Sequence, residues 1–163
     1  MLSGQLIGAE ALLRWQMNGQ YIPPMQFIPV VEASDLMLPI GEWVVTTAIA
    51  QAATWRQQFS HPPRIAFNLS SRQFAGRKLA RCVLDNLARW QLPTDAIELE
   101  ITESMRLNPE GDSIDELRSL HDQGLRLSLD AFGTGYSSLS YLQRLPIDAL
   151  KIDHSFITPL GSA

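Results

Sequence analysis

Five polar residues set the chemistry available to this chain. Asn68, Glu100, Asp130 and Lys151 each stand at or near the C-terminal end of a short apolar run, successive members lying about one strand-helix unit apart, and Glu10 interrupts an apolar run near the start. Three carboxylates and an amide oxygen form the hard donor set that Mg²⁺, Mn²⁺ or Ca²⁺ prefers. Brought together with no cation, the carboxylates would repel one another. A single Glu or Asn at a strand end is more often a solvated or capping residue, so the weight rests on the joint pattern. After Asp130 and one further residue comes the turn Phe132-Gly133-Thr134-Gly135-Tyr136-Ser137-Ser138. Its glycines and hydroxyls suit close approach to a phosphate or closure over a ligand.

The surrounding pattern predicts how these residues meet. Apolar strands are expected at Leu6 to Trp15, Ile65 to Asn68, Ile97 to Ile101, Leu125 to Leu129 and Ala149 to Ile152, with a turn at Asn18-Gly19. Helices are expected between them. Pro24 opens a short one through Ala33, and the longest runs from about Pro39 to Phe59 on an apolar stripe of Ile40, Trp43, Val44, Thr47, Ala48, Ala52, Trp55 and Phe59. His61-Pro62-Pro63 ends it. Leu79 to Trp90, Ser113 to Gln123 and Ser138 to Arg144 follow, with Ser113 and Glu116 read as a capping pair and Gly124 as the residue closing the helix. Alternating strand and helix predict a parallel α/β barrel, in which strand C-termini share one mouth, and that mouth is where barrel sites lie. A closed barrel of eight units needs ~250 residues; this chain has 163 and is expected to form an incomplete arc of about five strands.

Composition narrows the partners. A net charge of −4 gives no electrostatic reason to bind a nucleic acid polymer, whereas a small anion held through metal ions remains compatible. Cys82 is the single cysteine, which excludes a disulfide framework and a thiolate metal cluster and fits a reducing compartment. Residues 1 to 7 do not read as a signal peptide and no run approaches a membrane span, so a cytoplasmic location is expected, as a soluble domain or as the cytoplasmic part of a membrane-anchored protein. Trp43, Trp55 and Trp90 are read as core residues, and His61, His121 and His154 as surface residues without ligand spacing.

The motifs Glu10-Ala11-Leu12-Leu13-Arg14-Trp15, Asn68-Leu69-Ser70, Glu98-Leu99-Glu100-Ile101-Thr102-Glu103-Ser104, Asp130-Ala131-Phe132-Gly133-Thr134-Gly135-Tyr136-Ser137-Ser138 and Leu150-Lys151-Ile152-Asp153 occur in the order and spacing of the EAL domain family. The chain resembles that family from about Gly8 to Phe156. The resemblance implies a TIM-barrel-like fold and a phosphodiesterase that opens cyclic di-GMP to linear pGpG by two-metal chemistry. It implies Glu10, Asn68, Glu100 and Asp130 as ligands of Mg²⁺ or Mn²⁺, with Ca²⁺ inhibitory, and Lys151 with Glu10 as the catalytic groups that orient or activate the attacking water. Arg14 and Leu13 are implied as substrate contacts. Glu103 is implied as the brace of a loop formed by Gly133, Thr134 and Gly135, and Asp153 as support for Lys151.

Two departures from the family pattern stand out. Ala131 occupies the position of a second Asp, so one metal position loses a carboxylate. The family's opening strand, with its Gln-Pro, and its C-terminal βα units are not matched, so residues 1–163 are read as a partial domain of impaired activity. Binding of cyclic di-GMP as a signal, without cleavage, is the alternative reading. A lyase acting on a small acid through Lys151 and one metal is a third, supported only by analogy of fold. The family context further implies linkage to sensory or GGDEF domains, and the two open edges of an arc invite a homodimer.

Overall fold

A computed structural model describes residues 4–74, 78–102, 105, 111–133 and 139–158; side chains at positions 139 and 140 are left aside. The chain opens with β1 (Gly8–Ala11) and a small antiparallel hairpin, β2 (Trp15–Met17) and β3 (Gln20–Ile22), turned at Asn18-Gly19, where both residues have positive φ. Helices α1 (Pro24–Glu32) and α2 (Met37–Gln58) follow. Then come β4 (Arg64–Asn68), α3 (Leu79–Trp90), β5 (Ile97–Thr102), α4 (Asp112–Asp122), β6 (Arg126–Phe132), α5 (Leu139–Leu142), β7 (Ala149–Ile152) and the short α6 (His154–Ile157).

The sheet order is β1-β4-β5-β6-β7, parallel throughout. This is the curled half-barrel that the alternating pattern predicts, with strand C-termini at one mouth. Strand period two sorts the residues into two faces. Ile65, Phe67, Ile97, Leu99, Ile101, Leu127 and Leu129 point outward under the helices and are fully or almost fully buried. They form one core with Val45, Ile49, Val83, Leu87, Ile114, Leu117 and Leu120 from α2, α3 and α4. Arg64, Asn68, Glu98, Glu100, Arg126, Ser128 and Asp130 occupy the alternate positions and line the inside of the curl.

Three expectations need correction. The buried stripe of α2 is Gly41, Val45, Ala48, Ile49, Ala52 and Ala53. Trp43 is 58% exposed and Phe59 50% exposed: α2 packs on β4 and α3, while Trp43, with Val44, Thr47 and Trp55, lines an open hollow between the helix and β1. Trp90 is likewise 42% exposed. The cap of α4 is Gly111 rather than Ser113. Glu116 is instead buried and accepts the Ala80 amide at the start of α3, so it ties two helices together. Gly124, at φ +89, does close α4. His121 is less free than a surface residue: its Nε2 lies 3.4 Å from Asp148, whose other carboxylate oxygen accepts the Leu127 amide.

Candidate active site

Parallel register aligns the inner-face residues into rows across the strands. Asn68 pairs with Glu100 and Glu100 with Ser128, while Thr102 pairs with Asp130 one row nearer the mouth. Glu10 comes up from β1, and its Oε1 accepts a 2.8 Å hydrogen bond from the Asn68 amide. From β7, Lys151 reaches across the inside of the curl, and its ammonium donates to Glu100 Oε1. The five residues picked out by their spacing therefore converge, from five adjacent strands.

Glu100 is fully buried, and its second oxygen, Oε2, has no hydrogen-bond partner among the described residues. Burial pushes its carboxyl above the usual carboxylate range; the Lys151 hydrogen bond and charge oppose this, and Glu10 and Asp130 add to it. For Lys151, burial favours the neutral amine, but the bond to Glu100 and the pull of Glu100, Glu10 and Asp130 prevail, so the pKa rises and the group stays an ammonium. Lys151 is thus the ammonium on which Glu100, Glu10 and Asp130 all act. An orphaned carboxylate oxygen in such surroundings is the environment a divalent cation satisfies. Among the described residues, no three Asp, Glu, His or Cys side chains lie close enough to hold an ion as they stand. Lys151, seated on Glu100, supplies the positive charge.

A hollow of about 230 Å³ opens beside this cluster at the mouth, lined by Leu13, Arg14, Asn68, Leu69 and Thr102 together with parts of α1 and α2. Arg14 is exposed there and donates to the Leu13 carbonyl at 2.9 Å, which leaves the rest of its guanidinium facing solvent.

The far side of Asp130 is irregular for a physical reason. The β6–β7 register slips between Leu129 and Phe132, and Ala131 takes φ +55. A left-handed residue turns the chain, so the strict alternation that would aim Ala131 away from the site is broken. Asp and Asn tolerate this conformation better than Ala does. Asp153 accepts the Ser155 amide at 2.9 Å and thereby caps α6; hydrogen bonds from the Ser155 side chain and then its amide hold the Asp153 carboxyl below the usual range. Glu103, Thr134 and Gly135 lie outside the described residues.

Two residues of the site escaped the sequence reading. Ser128 is buried opposite Glu100, with no hydrogen-bond partner for its Oγ among the described residues; it sits two positions before Asp130, so strand periodicity alone could have found it. Gln73 is buried and accepts the Ser70 amide at 2.8 Å, fixing the turn after Asn68. A Cβ at Gly41 of α2 would lie 2.6 Å from Gln73 Cδ, so the helix carries glycine where Gln73 crosses it. No local sequence signal announces that crossing.

Comparison with known proteins gives this geometry relatives. The EAL domain model matches residues 1–163. The signaling protein YkoW of Bacillus subtilis is 44% identical over 154 residues, 94% of this chain and 19% of that protein. The bifunctional diguanylate cyclase/cyclic di-GMP phosphodiesterase MucR of Pseudomonas aeruginosa is 43% identical over 161 residues, 98% of this chain and 23% of that protein. The solved structure of the PaMucR phosphodiesterase in complex with c-di-GMP matches with a TM-score of 0.87 at 42% identity, covering 98% of this chain and 65% of that one. The chain spans about a fifth of the length of these curated relatives. With its motifs on adjacent strand ends and a family match along its whole length, the chain belongs to the EAL domain family.

Proposed function

We propose that this chain is a cyclic di-GMP phosphodiesterase domain that hydrolyses its substrate to linear pGpG, with activity weakened at Ala131. The observation that carries the reading is buried Glu100, with one oxygen orphaned and Glu10, Asn68, Asp130 and Lys151 around it. MucR, similar over nearly the whole chain, is named as a phosphodiesterase, which favours cleavage over binding alone. In this reading Glu10, Asn68, Glu100 and Asp130 hold Mg²⁺ or Mn²⁺, which supplies hydroxide at neutral pH and neutralises charge developing on the phosphoryl oxygens. Ca²⁺, larger and less strict in geometry, binds the same oxygens and inhibits.

The chain's own residues do the rest. Lys151, an ammonium seated on Glu100 in the structure, would donate to the attacking water. As an ammonium it cannot take the proton, so a carboxylate of the cluster, Glu10 in this reading, accepts it. The water oxygen bonds to phosphorus as the bond to the 3′ oxygen breaks, leaving a 5′-phosphate and a 3′ oxyanion that takes a proton from solvent to become the 3′-hydroxyl, while Glu10 returns its proton to solvent. Arg14 contacts a phosphate and Leu13 a base in the hollow at the mouth. Asp153 supports Lys151 indirectly, by capping α6.

The chain is read as acting inside a larger protein that carries sensory or GGDEF segments, in the cytoplasm, a reading supported by its spanning about a fifth of the length of its curated relatives. Within the described residues no single helix is long and apolar enough to cross a membrane; only the bent pair α1 and α2 passes by composition, and α2 buries its stripe on the sheet. Among the described residues β1 and β7 have no strand partner on their outer side, which supports a homodimer.

The test is pGpG release from cyclic di-GMP in Mn²⁺, paired with calorimetric binding in Ca²⁺. Release that stops on chelation supports the proposal. Tight binding with no release in a complete barrel makes the domain a receptor, and neither binding nor release removes the reading altogether.

A further inference from the structure

Between the strand that carries Lys151 and the turn that follows Asp130 lies a contact that the proposed mechanism does not use. Gly133 adopts φ +101, and its Cα faces the ring of Phe156: a Cβ there would lie 2.6 Å from Phe156 Cζ and 3.2 Å from Cδ2. The ring therefore rests directly on the backbone of the turn. What aims it is a short chain of named bonds. The Asp153 amide donates to the Phe132 carbonyl at 3.3 Å, which closes the β6–β7 ladder just past the register slip. The Asp153 carboxylate then accepts the Ser155 amide, and the Phe156 amide donates to the Asp153 carbonyl at 3.1 Å. That single turn of helix folds Phe156 back over Gly133. Its side chain remains about half exposed, so the ring is not there to fill the main core.

We infer that Phe156 is a positioning residue, which clamps the glycine turn after Asp130 to the strand end bearing Lys151, so that the two sides of the site move as one body. The physical reason is leverage. Ala131 and Gly133 both have positive φ and the register slips between Leu129 and Phe132, so 130–133 is held by an irregular stretch of pairing rather than by the even ladder that fixes β5 and the first half of β6. Two residues upstream is Asp130, a proposed metal ligand, and across the slip is Lys151. Removing the ring frees the turn while leaving every proposed catalytic group in place. A displacement of about 1 Å in such a constellation is enough to cost about a hundredfold in rate.

This inference rests on the phosphodiesterase reading for its catalytic consequence but not for its structural one, so two readouts are needed. The first is amide hydrogen exchange of the full protein carrying this chain, compared between wild type, Phe156→Ala and Phe156→Tyr. Phe156→Ala is expected to speed exchange at residues 130–133 and 151–153 while leaving 97–102 unchanged; Phe156→Tyr, which keeps the ring, is expected to restore protection. The second is cyclic di-GMP hydrolysis, where Phe156→Ala should lower kcat tenfold or more with little change in KM. A Gly133→Ala change adds a double-mutant comparison: Phe156→Ala should recover part of what Gly133→Ala loses in melting temperature, because the clash goes while the backbone strain stays. If Phe156→Ala does not fold, Phe156→Leu is measured in its place. Unchanged exchange at 130–133, or losses from Gly133→Ala and Phe156→Ala that simply add, would overturn the clamp. A clamp seen in exchange with no hydrolysis by any variant would sustain this inference and contradict the phosphodiesterase reading.

Discussion

The two faces of the parallel sheet are made by the same strands and behave as different materials. On the outer face Phe67, Leu99, Leu127 and Leu129 are buried against α2, α3 and α4, and each is interchangeable in kind with its neighbours. On the inner face Asn68, Glu100, Ser128 and Asp130 alternate with them, one residue away along each strand, and none can be exchanged without changing charge or hydrogen bonding. The difference teaches that stability and chemistry are written at period two into one set of strands: substitutions outward should cost folding, and substitutions inward should cost function.

The largest effect expected from breaking this division is on turnover. Lys151→Ala should reduce cyclic di-GMP hydrolysis by roughly a hundred- to a thousandfold, the range for loss of one positioned hydrogen-bond donor to the reacting groups, with cyclic di-GMP affinity in Ca²⁺ changed far less. Equal losses in rate and affinity would make Lys151 a phosphate contact. The same variant leaves buried Glu100 without its ammonium. Its carboxyl pKa, already raised, rises further, so the folded state binds a proton that the unfolded state releases. Stability of Lys151→Ala should therefore be fullest below the ordinary glutamate value of about 4.3 and fall as the pH climbs through the raised value; melting curves across acid to neutral pH check this.

Next in size is the outer face. Phe67→Ala deletes a fully buried ring under the helices, a change that costs about 3–5 kcal/mol, or a fall of about 10 °C in Tm for a chain of this size. Thermal unfolding measures it. A Phe67→Ala chain that melts like wild type would erase the distinction between the faces.

Ala131 sharpens the comparison, because it stands where the two faces lose their definition. Ala131→Asp should raise pGpG release at least tenfold, about 1.4 kcal/mol in barrier, in a complete barrel, and give little or no gain in the 163-residue chain. Equal rates with and without the substitution in the complete barrel would sink the argument that a second ion needs this carboxylate.

The smallest effect is the most diagnostic of local packing. A glycine inside an exposed helix is usually improved by alanine, by about 1 kcal/mol. Gly41→Ala should reverse that sign, because its Cβ would press on the Gln73 side chain that fixes the turn after Asn68. Urea titration of the variant, which should show a lowered midpoint, decides it.

The sequence made legible what depends on periodicity. The strand end at Asn68, the places of Glu100 and Lys151 near the ends of β5 and β7, the helix Leu79 to Trp90 and the last strand Ala149 to Ile152 fall where the apolar pattern puts them. It misled where burial depends on what lies alongside. Trp43 and Phe59 obey the helical rhythm yet stand exposed, because the rhythm reports which residues share a stripe and not whether anything covers it. It was silent where one residue makes room for a distant one: Gly41 for Gln73 and Gly133 for Phe156 have no local signature. The left-handed conformation of Ala131 and the bulge beside it are properties of the β6–β7 pairing rather than of either strand.

The most direct test of the central claim, that the inner-face carboxylates form a divalent metal site, is the melting temperature of the folded protein with and without Mn²⁺, for wild type and for Glu100→Gln. The account predicts a rise for wild type, about 2.7 kcal/mol of added stability at a hundredfold excess over Kd, and little or none for Glu100→Gln. A wild-type melting temperature unmoved by millimolar Mn²⁺, or an equal rise in both proteins, would contradict it.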